Sequence, residues 1–217
     1  MRNYIAEIIG TFFLVFAGCG AMVVNNYSGG ALGHVGVATT WGLIVMVIIY
    51  TIGDISGAHL NPAVTFAFWI AKRFKGKEVL PYIVAQSIGA FLASFALKIM
   101  FPADETLGAS LPSSTWEQSF IMEVILTFLL MYVILNVSSG AKEKGIMAGA
   151  AIGATVGLEA MFAGPVCGAS MNPIRSIAPA VVSGHTEYLW AYIVSTLLGA
   201  ILAVFAFKLT RKEDAKG

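Results

Sequence analysis

Long apolar runs alternate with short polar segments along almost the whole chain. Six of the runs come close to or exceed the roughly 20 residues that an α-helix needs to cross about 30 Å of hydrocarbon. They cover residues 4–25, 33–53, 80–100, 117–137, 145–163 and 187–209. The pattern therefore predicts an all-α membrane protein with six transmembrane helices in contact with the lipid bilayer.

Two further apolar stretches, residues 62–72 and 173–183, are too short to cross the bilayer. Each begins at a proline that follows an asparagine, Asn61 or Asn172. An Asn cap followed by Pro at the first helical position favours a helix start. Short helices at membrane depth are tolerated only inside protein or beside a water-filled cavity. These stretches therefore predict two re-entrant half-helices.

Composition and charge narrow the function. Of the 217 residues, 58% are hydrophobic and 12% are charged, which is about half the charged fraction of a soluble domain. The net charge of +1, without a long basic run, excludes a nucleic-acid partner. The two cysteines and three histidines lack metal-ligand spacing, and the sequence has no nucleophile–base set or phosphate-binding loop. We expect no metal, no cofactor and no enzymatic activity.

The basic residues predict the orientation of the chain in the membrane. Two of them, Lys98 and Arg175, fall toward the outside, and Lys98 lies at a helix end from which it can reach water. The others fall on the opposite side: Arg2, Lys72, Arg73, Lys75, Lys77, Lys142, Lys144, Lys208, Arg211, Lys212 and Lys216. We therefore expect an integral plasma (inner) membrane protein with both termini in the cytoplasm.

The chain contains an internal duplication. The segment SGAHLNPAVT at 56–65 matches CGASMNPIRS at 167–176 with an offset of 111 residues. The third span, at 82–98, matches the sixth span, at 192–208, in 10 of 17 positions. The offset changes by one to six residues along the chain, which the loops absorb, and such self-similarity indicates repeated structural units.

Each copy, at about residues 1–100 and 115–210, contains three spans, which is an odd number. The second copy must therefore cross the membrane upside down, which gives inverted repeats within one domain of residues 1–217. One half-helix then enters from the cytoplasm and the other enters from outside. Their starting asparagines are expected to meet near the midplane of the bilayer.

This meeting point has chemistry suited to a pore. Each helix N-terminus carries about half a unit of positive charge, and Asn61 and Asn172 offer amide N–H groups to a passing water molecule. A water that accepts from both points its hydrogens away along the pore, and the field opposes protons and other cations. The preceding carbonyl groups are expected to form an acceptor ladder: Gly57, Ala58, His59, Leu60, Gly168, Ala169 and Ser170.

Acidic residues inside apolar spans are functional by default, because burying a charge is expensive. Glu7 and Glu123 occupy matching places in the two halves. This favours a structural role, in which each accepts hydrogen bonds from the irregular loop before a half-helix. Glu159 has no acidic counterpart in the first repeat, since Ile48 occupies the corresponding position. It faces either a subunit contact or the pore mouth. Asp54 either lines the inner vestibule or caps a helix end.

These features resemble the major intrinsic protein family, the aquaporins and glycerol facilitators. The resemblance rests on SGAHLNPAVT, GASMNPIRS, the paired glutamates and the six spans, and it covers residues 4–209. It implies an aquaporin-like bundle of six tilted helices and two half-helices, one pore per subunit and a homotetramer. The pore motifs that it implies are Asn61, Pro62 and Ala63, and Asn172, Pro173 and Ile174, where Ile174 replaces the usual Ala.

The family also has a four-residue selectivity filter toward the outer mouth. By distance from the motifs, the resemblance places this filter at Trp41, Ala160, Ala169 and Arg175. A broad apolar Trp and two small alanines leave space beside the arginine for the carbon skeleton of a polyol. The set is similar to that of glycerol facilitators and, more closely, of plant nodulin-type intrinsic proteins. This likeness implies passage of water, glycerol and neutral metalloid acids.

Two alternatives are weighed against this interpretation. Ser176 and the short chain are water-channel-like, so a strict water-selective channel is the first alternative. A coupled secondary transporter also uses inverted repeats and broken helices, but it needs an ionisable coupling site, and the midplane candidates are neutral amides. The sequence predicts a passive channel for water and small uncharged solutes that excludes protons and other ions.

Overall fold

The structure is a computed structural model that describes residues 1–138 and 146–210. Of the predicted cytoplasmic cations, Lys142, Lys144, Arg211, Lys212 and Lys216 lie outside the described residues. Six helices are long and apolar enough to cross a membrane. They are α1 (Arg2–Tyr27), α2 (Gly33–Ser56), α4 (Gly76–Met100), α5 (Trp116–Val137), α6 (Ala148–Cys167) and α8 (Leu189–Thr210). Two short helices, α3 (Pro62–Ile70) and α7 (Pro173–Ser183), complete the all-helical fold of the described residues.

The predicted fold class is confirmed, with small errors at the helix ends. Helix α6 continues to Cys167, beyond the predicted end at residue 163, and stops where Gly168 adopts φ +78. The helix contains Pro165, which cannot donate a backbone hydrogen bond to the carbonyl four residues before it. In the structure His34 Nε2 lies 2.6 Å from that carbonyl, Met161 O. A contact from another helix thus replaces the missing bond.

Close contacts between glycines bring the helices together. A Cβ atom added to Gly153 of α6 would lie 2.6 Å from the carbonyl oxygen of Gly42 in α2. Gly89 of α4 and Gly199 of α8 occupy matching repeat positions and face the backbones of α1 and α5 in the same way. Small residues at these crossings allow the backbones to approach, which is how helices associate in lipid.

The half-helices are held by spans from the opposite repeat. Helix α3 packs on α8 as well as on α4, and α7 packs on α4 as well as on α8. The N-termini of α3 and α7 contact each other in the centre of the bundle. Large apolar side chains such as Phe13, Val47 and Phe95 remain exposed on the outside of the bundle, as expected for an integral multi-pass membrane protein.

Candidate functional site

An elongated cavity of about 810 Å³ lies between the two repeats. One wall consists of the irregular segments 57–61 and 169–172, which precede the two half-helices. The opposite wall is apolar and comes from α1, α2, α5 and α6. Its members include Leu14, Val45, Ile49, Leu130, Ile134, Ile152 and Val156. A polar backbone strip facing an apolar wall suits molecules that form hydrogen bonds on one side only.

The two asparagines cap the half-helices through their side-chain oxygens. Asn61 Oδ1 accepts a hydrogen bond from the backbone N–H of Ala63 at 2.8 Å. Asn172 Oδ1 accepts from Ile174 N at 3.1 Å and from Arg175 N at 3.4 Å. These bonds satisfy backbone donors in the first turn of each helix. They also fix the orientation of both amides, because each oxygen points into its own helix.

The amide nitrogens of the two asparagines donate hydrogen bonds from one repeat to the other. Asn61 Nδ2 donates to the carbonyl of Met171 at 2.7 Å, and Asn172 Nδ2 donates to the carbonyl of Leu60 at 2.9 Å. An amide nitrogen carries two N–H groups, so each asparagine retains a second donor. Both asparagines line the cavity. The site therefore offers two amide donors and two helix N-termini at one point.

The two irregular segments share an unusual backbone. Ala58 and Leu60 have φ +47 and φ +55, and Ala169 and Met171 have φ +42 and φ +53. Each such residue costs about 1–3 kcal/mol, and the conformation persists only where its surroundings enforce it. The matching pairs lie 111 positions apart, so both repeats maintain the same strained path. Gly57, Ala58, His59, Leu60, Ala169 and Ser170 line the cavity, whereas Gly168 does not line the part of it that the described residues form.

Glu7 supports the first segment from behind. Its Oε1 accepts from Ser56 Oγ at 2.7 Å and from His59 N at 2.9 Å. Its Oε2 accepts from Leu60 N at 2.8 Å and from Gln86 Nε2 at 2.9 Å. Four donors thus surround a fully buried carboxylate, and two of them are N–H groups of the cavity-lining segment.

Glu123 has the corresponding place in the second repeat. Its two oxygens accept from Ser170 N at 2.7 Å and Met171 N at 2.8 Å. Sequence reasoning missed the tyrosines that assist both segments. Tyr82 donates to Ser56 O at 2.8 Å, and its repeat counterpart Tyr192 donates to Cys167 O at 2.9 Å. The alignment of the third span with the sixth already paired Tyr82 with Tyr192, and this identity was the available signal.

Arg175 lines the cavity and is buried, with 1% of its surface exposed. Its Nη1 donates to Gly108 O at 2.8 Å, and its Nη2 lies 3.6 Å from the sulfur of Met22. The guanidinium carbon stacks 4.6 Å from the ring centroid of Trp41, a cation–π contact. Contacts to three elements hold the guanidinium in one place.

The predicted filter residues do not all have the same relation to the cavity. Trp41, Ala169 and Arg175 line it, while Ala160 is buried and is not among its described lining residues. Sequence reasoning also missed Gly108, whose carbonyl accepts a hydrogen bond from the arginine and lies in the loop between α4 and α5.

In the two pore motifs, the prolines and the residues after them are buried in the protein: Pro62, Ala63, Pro173 and Ile174. Ile174 belongs to the hydrophobic core. Its larger side chain therefore does not narrow the described part of the cavity.

Two acidic residues that the sequence left open now have positions. Asp54 lines the cavity, as do Tyr50 and Gly57, which favours the vestibule over a helix cap. Glu159 is fully buried within the bundle. It therefore lies neither at a subunit surface nor at the pore mouth.

Comparisons with known proteins identify similar chains. A family profile described as Major intrinsic protein matches residues 1–207. The chain is 47% identical over 212 residues to Aquaporin NIP1-1 from Zea mays, across 97% of this chain and 75% of that protein. It is 46% identical over 214 residues to Putative aquaporin NIP4-1 from Arabidopsis thaliana, across 98% and 76%. The solved structure of the aquaglyceroporin from Plasmodium falciparum matches with a TM-score of 0.83 and 25% identity over 96% of both chains.

Proposed function

The chain belongs to the major intrinsic protein family and is a membrane channel for water and small neutral solutes; we propose that its two asparagine-capped half-helices form the barrier to ions. The reciprocal contacts of Asn61 with Met171 O and of Asn172 with Leu60 O carry this proposal. They place two positive helix ends side by side in the cavity wall.

The barrier acts on charge and on proton transfer. A cation that reaches this point loses water and meets a positive potential, which is strong because the surroundings are apolar. A water molecule that accepts from both amides cannot also donate toward them, so the chain of water-to-water donation is interrupted. Neutral molecules experience neither penalty and pass down their gradient.

We propose that Trp41, Ala160, Ala169 and Arg175 select the solutes. The stacked guanidinium leaves part of its donor set available to hydroxyl oxygens, while the broad Trp41 and the small Ala169 beside it in the cavity wall suit a carbon skeleton. The name of the Plasmodium falciparum relative, an aquaglyceroporin, supports a pore wide enough for glycerol. Glycerol-like polyols and neutral metalloid acids are therefore the expected cargo beside water.

A strict water channel is the competing proposal. It is tested in proteoliposomes exposed to gradients of glycerol, of arsenous acid and of an impermeant osmolyte. We expect fast shrinkage in the impermeant osmolyte and fast reswelling in both permeant solutes. Fast water flux without reswelling above that of empty vesicles would establish strict water selectivity.

We further propose a homotetramer in the plasma (inner) membrane with both termini in the cytoplasm. Lys72, Arg73, Lys75 and Lys77 follow α3 on the side where the N-terminus lies, which supports that orientation. The orientation is tested by labelling single cysteines introduced at Lys75 and Glu105, on opposite faces, with an impermeant reagent. Native mass spectrometry of the purified protein tests the tetramer.

A further inference from the structure

Residues 107–110 of the loop between α4 and α5 are buried inside the bundle. Loops usually run over the surface, because their backbone polar groups need partners. In this loop the partners are supplied from within. Leu107 N donates to Asp104 Oδ1 at 2.8 Å, and Ala109 N donates to Thr106 O at 3.0 Å. The loop thus reaches the interior of the protein as an ordered segment.

Three serine hydroxyl groups connect this loop to the second cavity-lining segment. Ser176 Oγ donates to Ser110 Oγ at 2.9 Å, and it lies 2.5 Å from Ser170 Oγ. Ser110, Ser170 and Ser176 have only 4%, 5% and 1% of their surfaces exposed. We call these three residues the serine chain. Its hydrogen bonds are shielded from solvent along their whole length.

The first repeat has an equivalent polar pair with a different partner. His59 and Thr65 occupy the positions of Ser170 and Ser176, and His59 Nδ1 lies 3.1 Å from Thr65 Oγ1. Thr65 Oγ1 also accepts from Gln86 Nε2 at 3.0 Å. The polar pair of the first repeat is therefore held by α4, which is a membrane-spanning helix.

The sixth span does not provide this partner in the second repeat. Thr196 occupies the position that corresponds to Gln86, but its hydroxyl donates to Tyr192 O within its own helix at 2.6 Å. Ser110 of the loop contacts Ser176 instead. The second half-helix is thus tied to a loop where the first half-helix is tied to a span.

The serine chain joins the two proposed filter residues that belong to the second pore motif. Ser170 directly follows Ala169, and Ser176 directly follows Arg175. Ala169 has φ +42, a conformation that persists only where its surroundings enforce it. Gly108 of the same loop accepts a hydrogen bond from Arg175 Nη1 at 2.8 Å. One buried loop therefore contacts the arginine directly and the backbone on both sides of the filter through the serine chain.

We propose that Ser110 is a positioning residue for the filter: by accepting the hydroxyl of Ser176, it fixes the spacing between Ala169 and Arg175 and so limits the size of the solutes that pass. Ser110 is not among the described residues that line the cavity, so it acts through its neighbours. The inference rests on the proposed function, and it assigns the size limit of the filter to a loop as well as to the membrane spans.

The ratio of erythritol to glycerol permeability in one vesicle preparation tests this assignment, because a ratio does not depend on the amount of folded protein. Ser110→Ala removes the acceptor and loosens the filter, so the larger polyol should gain. We expect the ratio to rise about five-fold, the factor that corresponds to the roughly 1 kcal/mol of a typical hydrogen bond. An unchanged or lower ratio would overturn the proposal. Ser114→Ala, at an exposed position of the same loop, is the matched control and should keep the parent ratio.

A failure of the proposed function is recognised separately, in the parent protein. If the parent passes water but no glycerol, the proposed solute range is wrong. The ratio of glycerol to water permeability then tests Ser110→Ala in the same way, with the same expected rise and the same contradicting result.

A double variant tests whether the serines act through each other. Ser110→Ala should add nothing to the ratio of Ser176→Ala, because both substitutions break the same hydrogen bond. Additive changes would show that the two residues act independently and would refute the proposal. Ser113→Ala releases another anchor of the loop, since Ser113 Oγ donates to Val166 O at 3.0 Å, and it should leave the ratio unchanged. An equal rise in Ser113→Ala would assign the effect to general loosening of the loop and would also refute the proposal.

Ser110→Cys keeps the proposal testable if Ser110→Ala does not fold. A thiol fills the place of the hydroxyl but is a weak hydrogen-bond acceptor. The ratio should therefore rise as expected for Ser110→Ala, and the parent ratio in a folded Ser110→Cys variant would contradict the role of Ser110.

Discussion

The proposed filter residues and the residues at the corresponding positions of the other repeat differ in the polarity of their side chains. The filter consists of Trp41, Ala160, Ala169 and Arg175. An offset of 111 residues relates these to Ile152, Ile49, Ala58 and Val64, here called the counterpart ring. All four members of the counterpart ring line the cavity, and all are apolar.

The comparison distinguishes features that both repeats share from features that arise where the residues of the two repeats differ. The repeat supplies two strained segments, two capped half-helices and their reciprocal contacts, all of which are symmetric. We propose that selectivity for a solute resides where the symmetry is broken, above all at Arg175, whose repeat counterpart is Val64. The supporting carboxylates show the same principle, since Glu7 and Glu123 share a position but not their donors.

The largest expected effect comes from removing these carboxylates. In Glu7→Leu four donors lose their acceptor, whereas in Glu123→Leu two backbone N–H groups and the weakly donating thiol of Cys167 do. Each buried unsatisfied donor costs about 1–3 kcal/mol, so both variants should be strongly destabilised and Glu7→Leu more so. Thermal unfolding in detergent measures this, with Glu117→Leu as an exposed control. A greater loss for Glu123→Leu would contradict the donor comparison.

The next effect concerns charge selectivity. Arg175→Val converts the filter toward its counterpart ring, and it removes the cation that contacts Trp41 and Gly108. Water flux should persist, while proton and small-cation leakage rises because one of the positive charges is gone. Stopped-flow light scattering and a trapped pH dye measure both in the same vesicles. The assignment of Arg175 fails if leakage and the solute ranking stay unchanged. Arg175→Lys separates loss of charge from loss of shape.

A smaller and more selective effect is expected at Ala160. Ala160→His places a bulky polar side chain next to the filter, so glycerol flux should fall more than water flux. The size of the solute decides the effect, because a narrower ring excludes a three-carbon skeleton before it excludes water. Ala160→Ser is the control and should change both fluxes little. Equal changes for glycerol and water in the histidine variant would place Ala160 outside the filter.

The smallest effect is expected from mercurial reagents. Cys19 and Cys167 both have 0% of their surface exposed, and neither is among the described residues that line the cavity. Water flux should therefore be insensitive to a mercurial over the time of a flux measurement. Strong inhibition that a Cys167→Ser variant abolishes would show that the outer segment opens more than this structure indicates.

The fold was largely predictable because lipid imposes simple rules on the sequence. Apolar length located the six spans, Asn-Pro located the half-helices, and an odd number of spans per repeat required inversion. The end of α6 was placed too early: the helix continues through Pro165 to Cys167, and His34 of α2 contacts the Met161 carbonyl that Pro165 leaves without a backbone donor.

The candidate site was less accessible to sequence reasoning. Asn61, Asn172 and Arg175 lie in the two Asn-Pro motifs, and their amide and guanidinium side chains indicate hydrogen-bond donors from the sequence alone. Gly108 acts through a carbonyl that every residue has, so no residue type marks it. The contact of Gln86 with Glu7 depends on which helix faces which, and only the assembled bundle supplies that information.

The most direct test of the ion barrier compares water and proton flux in one preparation of proteoliposomes. Water permeability should rise well above that of empty vesicles, glycerol should follow, and proton permeability should remain at the level of the empty vesicles. The opposing amide-capped helix ends predict this separation because they act on charge and not on size. A proton flux that rises together with water flux would contradict the account.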